Sequence, residues 1–324
     1  MSGDHGVPWT PADIPDLTGR RALVTGVTSG IGEQTAMELA RHGSEVILGA
    51  RNPQKLTESI ARIVHEVPDA VLHPLTIDVS DLQSVRRAAA LAAEHGPLHL
   101  LVNNAGVMAT PYERTPDGFE LQMATNHFGP FALTGLLFPQ LLASGDARVV
   151  AISSQASRLT RTPPLDDPRD LGGRYKRWRA YSKSKLANLM FALELDRRAR
   201  AQGVPVKGMV AHPGFSATGL MASRSPGSSP GSSPGSRQRV RLTSTILQAA
   251  FEALGQPSSL GALPTLMAAT ADLPGSTYVG PSGPLQMRGH PRIVAPRRLA
   301  RDEATQCRLW ELSENATGVR FLDQ

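Results

Sequence analysis

Two side chains able to handle a proton, Tyr181 and Lys185, stand four positions apart in the helix-like run Tyr181-Ser-Lys-Ser-Lys-Leu-Ala-Asn188. Residues i and i+4 share a helix face, so this spacing predicts an ammonium group beside a phenol. A neighbouring positive charge favours phenolate and lowers a tyrosine's pKa. Tyr181 is therefore expected to exchange a proton with an alcohol or carbonyl oxygen. The second motif is Thr25-Gly26-Val27-Thr28-Ser29-Gly30-Ile31-Gly32, a glycine turn of the kind that admits a pyrophosphate against backbone. Together the motifs imply hydride exchange with a nicotinamide dinucleotide, the tyrosine managing the proton.

For that chemistry the turn and the Tyr181 helix must meet at one edge of a sheet. Arg21–Thr25 reads as a strand, and the turn leads into a helix over Gly30–Arg41. Further strands are expected over Glu45–Gly49, Val71–Ile77, Leu98–Val102, Arg148–Ile152, Val204–Val210 and Thr277–Val279. Between them, Pro53 suits a first helical position and Asp81 a helix N-cap. One long helix is predicted over Asp117–Leu142 and another over Tyr181–Arg200. Strands alternating with helices describe an α/β fold, a doubly wound parallel Rossmann sheet of about seven strands covered on both faces. No composition break marks a second domain, so residues 1–324 are expected to form one, with an N-terminal arm at 1–18 and a helical substrate lid at 213–260. Within the lid, Ser225–Ser236 contains only Ser, Pro and Gly, a composition with nothing to bury that predicts a flexible, dispensable insertion.

Bulk composition narrows the function classes. The lone Cys307 has no intramolecular disulfide partner and suits a reducing compartment. No apolar run reaches the ~18 residues of a membrane span, and Met1–Leu17 lacks the basic start and apolar stretch of a signal peptide, so a cytoplasmic location is expected. The formal net charge of +6 invites a nucleic-acid reading. The absence of zinc-ligand spacing and of aromatic RNA-binding motifs argues for a solvated basic surface instead, with no nucleic-acid partner. No metal is assigned to the nine histidines.

The residue closing the second strand bears on cofactor choice. Arg51, followed by Asn52, falls near the ~20-residue offset at which an NAD-selective fold carries an acid for the ribose diol. A guanidinium there suits a 2′-phosphate, which predicts NADP(H) in preference to NAD(H).

These motifs, with Asp78-Val79, Asn103-Asn104-Ala105-Gly106, Asn126, Ser153-Ser154 and Pro213-Gly214, resemble the short-chain dehydrogenase/reductase family along nearly the whole chain. Gly49-Ala50-Arg51-Asn52, the Tyr181–Asn188 run and Leu309-Trp310-Glu311-Leu312-Ser313 look most like its retinol-dehydrogenase-like branch. The resemblance implies a tetrad. Tyr181 would be the acid/base, Lys185 would tune it and hold the nicotinamide ribose, Ser154 would hold the substrate oxygen, and Asn126 would anchor a relay water. It further implies cofactor contacts from Gly26, Thr28, Ser29, Gly30, Ile31, Gly32, Arg51, Asn52, Asp78, Val79, Asn104, Ala105, Gly106, Pro213, Gly214 and Thr218. The stretch between Ser154 and Tyr181 is longer than the family's common spacing and is expected to fold over the active-site entrance.

Leu186, Leu189, Met190 and Leu193 share a helix face and are expected to pack in the core. Phe215, Leu220 and Met221, with Leu242, Ile246 and Leu247, would give the lid an apolar lining suited to a medium-sized lipophilic aldehyde, ketone or alcohol. The alternative on the same fold is a non-catalytic NADP(H) sensor or scaffold, and the motifs leave a homo-oligomer open.

Overall fold

The computed structural model describes residues 8–167, 169, 175–214 and 256–322. Eight strands form one sheet: β1 (Arg21–Thr25), β2 (Glu45–Ala50), β3 (Leu72–Thr76), β4 (Leu100–Asn103), β5 (Ala147–Ile152), β6 (Val206–Ala211), β7 (Tyr278–Pro281) and β8 (Pro291–Ile293). Their order is β3-β2-β1-β4-β5-β6-β7-β8. Neighbours from β3 to β7 run parallel and only β8 is antiparallel, Val279 pairing with Ile293.

Because side chains alternate along a strand, the sheet feeds two apolar layers. Leu23, Ile47, Leu101 and Val149 belong to one layer, and Val24, Leu48, Val102 and Val150 to the other. Burial on both faces explains why these strands read as continuous aliphatic runs. The helices that follow the first three strands are α1 (Gly30–Arg41), α2 (Pro53–Glu66) and α3 (Leu82–Ala93). Asn52 caps α2 by accepting from the Lys55 amide at 2.9 Å, with Pro53 at the first position. Asp81 caps α3 as expected, accepting from the Gln83 and Ser84 amides.

The helix expected over Asp117–Leu142 is broken. It comprises α4 (Leu121–Met123), a π-turn over Ala124–Phe128, α5 (Gly129–Leu136) and α6 (Phe138–Ala143). The π-turn holds one residue more than the α repeat can place, a local feature often tied to function, and hydropathy does not reveal it. The Tyr181 helix, α7 (Arg177–Ala201), begins four residues before the expected start. Leu186, Leu189, Met190 and Leu193 are all core residues. Two further helices, α8 (Ser258–Thr270) and α9 (Glu303–Thr317), cover opposite faces, α8 against α1 and α9 against α7. Trp310 of α9 anchors an aromatic cluster, with ring centroids 5.1 Å from Phe131 and 4.7 Å from Phe321.

β8 was not expected from sequence. Three residues opening on a proline carry too little β pattern to be read, and proline suits such an edge strand because it need not donate to a ladder. Most of the expected lid, with the 225–236 insertion, Thr218 and all six proposed lid side chains, lies outside the described residues.

Candidate active site

The C-terminal ends of β1 and β4 meet where the strand order reverses, the crevice in which open α/β sheets bind ligands. Gly26 leaves β1 at φ +74°, a left-handed conformation natural to glycine. The neighbouring chain approaches so closely that a Cβ on Gly26 would lie 2.8 Å from Ala105 Cα. Asn104 ties the two strand ends together, its Nδ2 donating to the carbonyls of Thr25 (2.7 Å) and Gly26 (3.1 Å). The amides of Asn104 and Ala105 both donate to Thr25 Oγ1.

Ser29 precedes α1 in an extended conformation and its side chain makes no capping bond. The first-turn amides of α1, including those of Ile31 and Gly32, therefore have no hydroxyl cap. That leaves a helix N-terminus suited to an anion. Arg62 braces the turn from α2, donating to the Thr28 carbonyl at 3.1 Å and pairing with Glu33 at 2.6 Å. The residues present thus fit a dinucleotide pyrophosphate.

Beside the turn, Arg51 follows β2 with its side chain 68% exposed, and its Nη1 lies 3.7 Å from Asp78 Oδ2. That distance exceeds a hydrogen bond, so the guanidinium is only loosely held. Asp78 uses Oδ1 on Ser80, accepting from both its amide (2.9 Å) and its hydroxyl (2.6 Å). Val79 is buried behind it. Asn52 spends its side-chain oxygen on the α2 cap.

The tetrad residues converge on this edge. Tyr181 and Lys185 are almost fully buried, with Lys185 Nζ 5.9 Å from the centre of the Tyr181 ring. Nζ donates to the Ile152 carbonyl at 3.1 Å, which also accepts from Asn188 Nδ2 at 3.0 Å. A side chain on Gly106 would place its Cβ 3.0 Å from Asn126 Oδ1 and 3.3 Å from Lys185 Nζ, so Gly106 lies between those two groups. Asn126 sits in the π-turn and is saturated: Oδ1 accepts from the Val107 amide (2.8 Å), while Nδ2 donates to Val107 O (3.0 Å) and Ser184 Oγ (2.8 Å). The two candidate serines differ in kind. Ser153 is buried and donates to the Lys185 carbonyl at 2.8 Å, whereas Ser154 is half-buried and accepts from the Ala156 amide at 3.2 Å.

The electrostatics correct one expectation. Proximity to Lys185 was expected to lower the Tyr181 pKa, yet burial raises it, with Ser154 opposing through a hydrogen bond. Burial also pushes Lys185 down to about 8. Removing water penalises both charged forms, and that term outweighs an ammonium 5.9 Å from the ring.

Three groups were not legible in the sequence. His212, just before Pro213-Gly214, is buried, held down to about 4 by burial, and lies 3.1 Å from Gln286 Oε1. Gln155 Nε2 bonds the same oxygen at 2.6 Å. Pro213 accepts from Gln256 Nε2 at 2.7 Å, and Gly214 is left-handed at φ +69°. Tyr175, in the long loop before α7, accepts from Gln122 Nε2 and donates toward Glu120 Oε1 at 3.0 Å. Trp178 sets its ring edge-on to Tyr181, centroids 6.2 Å apart, and is 43% exposed. His212 and Tyr175 carry no spacing signal, because their partners come from distant elements, whereas Trp178 and Tyr181 are i,i+3 neighbours on α7.

A glycine turn feeding an uncapped helix, facing a buried Tyr/Lys pair across a Rossmann crevice, defines a nicotinamide-dinucleotide oxidoreductase. Comparison with known proteins makes this specific. Residues 20–165 match the short chain dehydrogenase family. Human retinol dehydrogenase 13 is 35% identical over 308 residues, covering 94% of this chain and 86% of that protein. Mouse polyprenol dehydrogenase is 43% identical over 219 residues, covering 65% of this chain and 64% of that protein. A crystal structure of an uncharacterised protein from Mycobacterium paratuberculosis superposes with a TM-score of 0.75 at 37% identity, covering 97% of this chain and 99% of the other. The chain belongs to the short-chain dehydrogenase/reductase family, in its retinol-dehydrogenase-like branch, and is an oxidoreductase acting on CH–OH groups. Among the described residues no helix is long and apolar enough to cross a membrane.

Proposed function

We propose that this enzyme transfers a hydride between NADP(H) and the alcohol or carbonyl of a lipophilic small molecule, with Tyr181 as general acid/base. The observation that carries the reading is the buried Tyr181–Lys185 pair on one face of α7, with half-buried Ser154 within hydrogen-bonding reach of the phenol. When bound, the nicotinamide supplies or accepts the hydride. In reduction, the proton on Tyr181 Oη passes to the substrate oxygen as that oxygen gains negative charge, and in oxidation it returns. Ser154 Oγ orients the substrate oxygen. Lys185, when protonated, stabilises the phenolate left behind and compensates its desolvation. Asn126, held in the π-turn by its bonds to Val107, would anchor a water that relays protons to Lys185.

Arg51 supports the choice of NADP(H). Its guanidinium is exposed and loosely held just beyond β2, and a guanidinium suits a ribose 2′-phosphate. The names of two relatives, retinol dehydrogenase 13 and polyprenol dehydrogenase, support a lipophilic substrate. A shallow, open cleft of about 390 Å³ lined by Pro111, Tyr175, Lys176, Arg177 and Trp178 adjoins the site through Trp178, whose ring centroid lies 6.2 Å from that of Tyr181. The test is a kinetic panel with NADPH against aliphatic and aromatic aldehydes, ketones and retinoids, run beside sugar and phosphorylated carbonyls. Tyr181→Phe should lower turnover on the best substrate by ~10²-fold or more while dinucleotide affinity stays near the parent value. Turnover close to the parent's, or higher kcat/KM for the charged compounds, would overturn the assignment.

A further inference from the structure

The opposite edge of the sheet gathers a second cluster. Arg21, Glu45 and His73 lie on β1, β2 and β3 at the strand starts, in register with Arg21 opposite Glu45 and Ile47 opposite His73. Alternation puts all three on the α3 face, where they extend the apolar row Leu23, Ile47 and Leu75 toward solvent. The turn after α3 then brings His95 over the same point, its ring centroid 4.4 Å from that of His73. One ligand-capable atom from each of Glu45, His73 and His95 lies within 4.8 Å of the others.

His73 Nε2 pairs with Glu45 Oε1 at 2.6 Å, and after the Arg21 hydrogen bond this contact helps hold the Glu45 carboxyl below its usual range. The pair, with His95 close by, sets one carboxylate oxygen and two imidazoles of a kind that ligate zinc within reach of one point. Arg21 occupies only the other oxygen, Oε2, at 2.7 Å, and pins the His95 and Pro97 carbonyls. It therefore fixes the donors while leaving Oε1 to face the histidines. The C-terminal end of α3, with Glu94 at its cap, adds negative potential at His95, which offsets the guanidinium charge.

We propose that Glu45, His73 and His95 form a binding site for a divalent zinc-class ion at the sheet edge opposite the glycine turn. Imidazole and carboxylate donors suit Zn²⁺, and bonds of ~2.0–2.1 Å place tetrahedral donors about 3.4 Å apart. The Glu45–His73 contact has to open by under 1 Å from 2.6 Å and the widest separation has to close from 4.8 Å. Side-chain rotation of His95, carried by a turn, supplies that motion, and water takes the fourth position. The ion would tie β2, β3 and the turn after α3 together, which makes it structural and independent of the hydride chemistry.

The experiment is calorimetric titration of chelator-stripped full-length protein with Zn²⁺, paired with Co²⁺ absorption spectroscopy. The expected result is one strong equivalent per chain, a visible Co²⁺ ligand-field band, and a Tm raised by the metal. His95→Ala and His73→Ala should each weaken binding by about tenfold or more and abolish the band. His95 lies in a turn, so its variant should keep the parent's Tm in chelator, which confirms that it is folded. Absence of a stoichiometric Zn²⁺ site in the parent, or binding by both variants as tight as the parent's, would overturn the proposal.

Discussion

Replacing Lys185 by Met should make the dinucleotide-free protein more stable while destroying its activity. Lys185 is 3% exposed and makes no ion pair among the described residues. Its pKa falls from 10.5 to about 8 because burial penalises the ammonium form. At ~1.4 kcal/mol per pH unit, that difference corresponds to about 3 kcal/mol of destabilisation at neutral pH. The substitution forfeits one hydrogen bond, to the Ile152 carbonyl, which keeps its partner Asn188 at 3.0 Å. A net gain of about 2 kcal/mol at pH 7 remains once a bond of ~1 kcal/mol is discounted. The sign with pH follows from proton binding. Between about 8 and 10.5 the unfolded chain holds the Lys185 proton and the folded one does not, so parent stability rises with pH through that window. Met has no proton to lose, so the variant's advantage is full at pH 7 and fades as pH approaches 10.5. Denaturant unfolding of both proteins at pH 7 and pH 10 measures the difference. A variant less stable than the parent at pH 7, or an advantage that does not shrink by pH 10, refutes the reasoning.

Further outcomes are expected. Arg51→Asp should reverse the dinucleotide preference: a charged hydrogen bond contributes ~1.5–3 kcal/mol, so NADPH should lose about tenfold or more in kcat/KM relative to NADH. Equal use of both by the parent would count against Arg51. Gly32→Ala should impair dinucleotide binding and lower Tm, since its Cβ would meet Asn104 Nδ2 and Gly26 O, each at 2.3 Å. Backbone has to shift there, and a dissociation constant and Tm like the parent's would show that the turn tolerates it.

Much of the frame was legible because its signals are local. Arg21–Thr25 and Gly30–Arg41 were placed to the residue by a β-branched run ending in a glycine turn. Pro53 and Asp81 announce their helix starts by backbone chemistry that operates within one turn. The tetrad was expected from the family resemblance, and the structure brings Asn126, Ser154, Tyr181 and Lys185 to one end of the sheet. What escaped depends on distant partners or on burial. The π-turn at Ala124–Phe128 answers to Val107 and Ser184 across the crevice. The upward displacement of Tyr181 reflects how completely α7 is enclosed, which no i,i+4 rule encodes. Glu45, His73 and His95 are adjacent only because three elements end at one edge, so a search for close sequence spacing passes over them.

The position of α9 bears on how the chain folds. Ser313 meets His127 at 2.8 Å across 186 residues of sequence, and the Thr317 carbonyl accepts from Arg86 at 2.8 Å across 231. Contacts so remote form late, because loop closure must precede any reward from them. Until α9 docks, Phe131 and Phe191 lack their Trp310 lid, and an intermediate with an assembled sheet still displays an aromatic patch. Such an intermediate is prone to self-association. Substitutions at Trp310 should therefore act mainly on the unfolding rate and on recovery from denaturant, with little effect on the speed at which the first strands assemble.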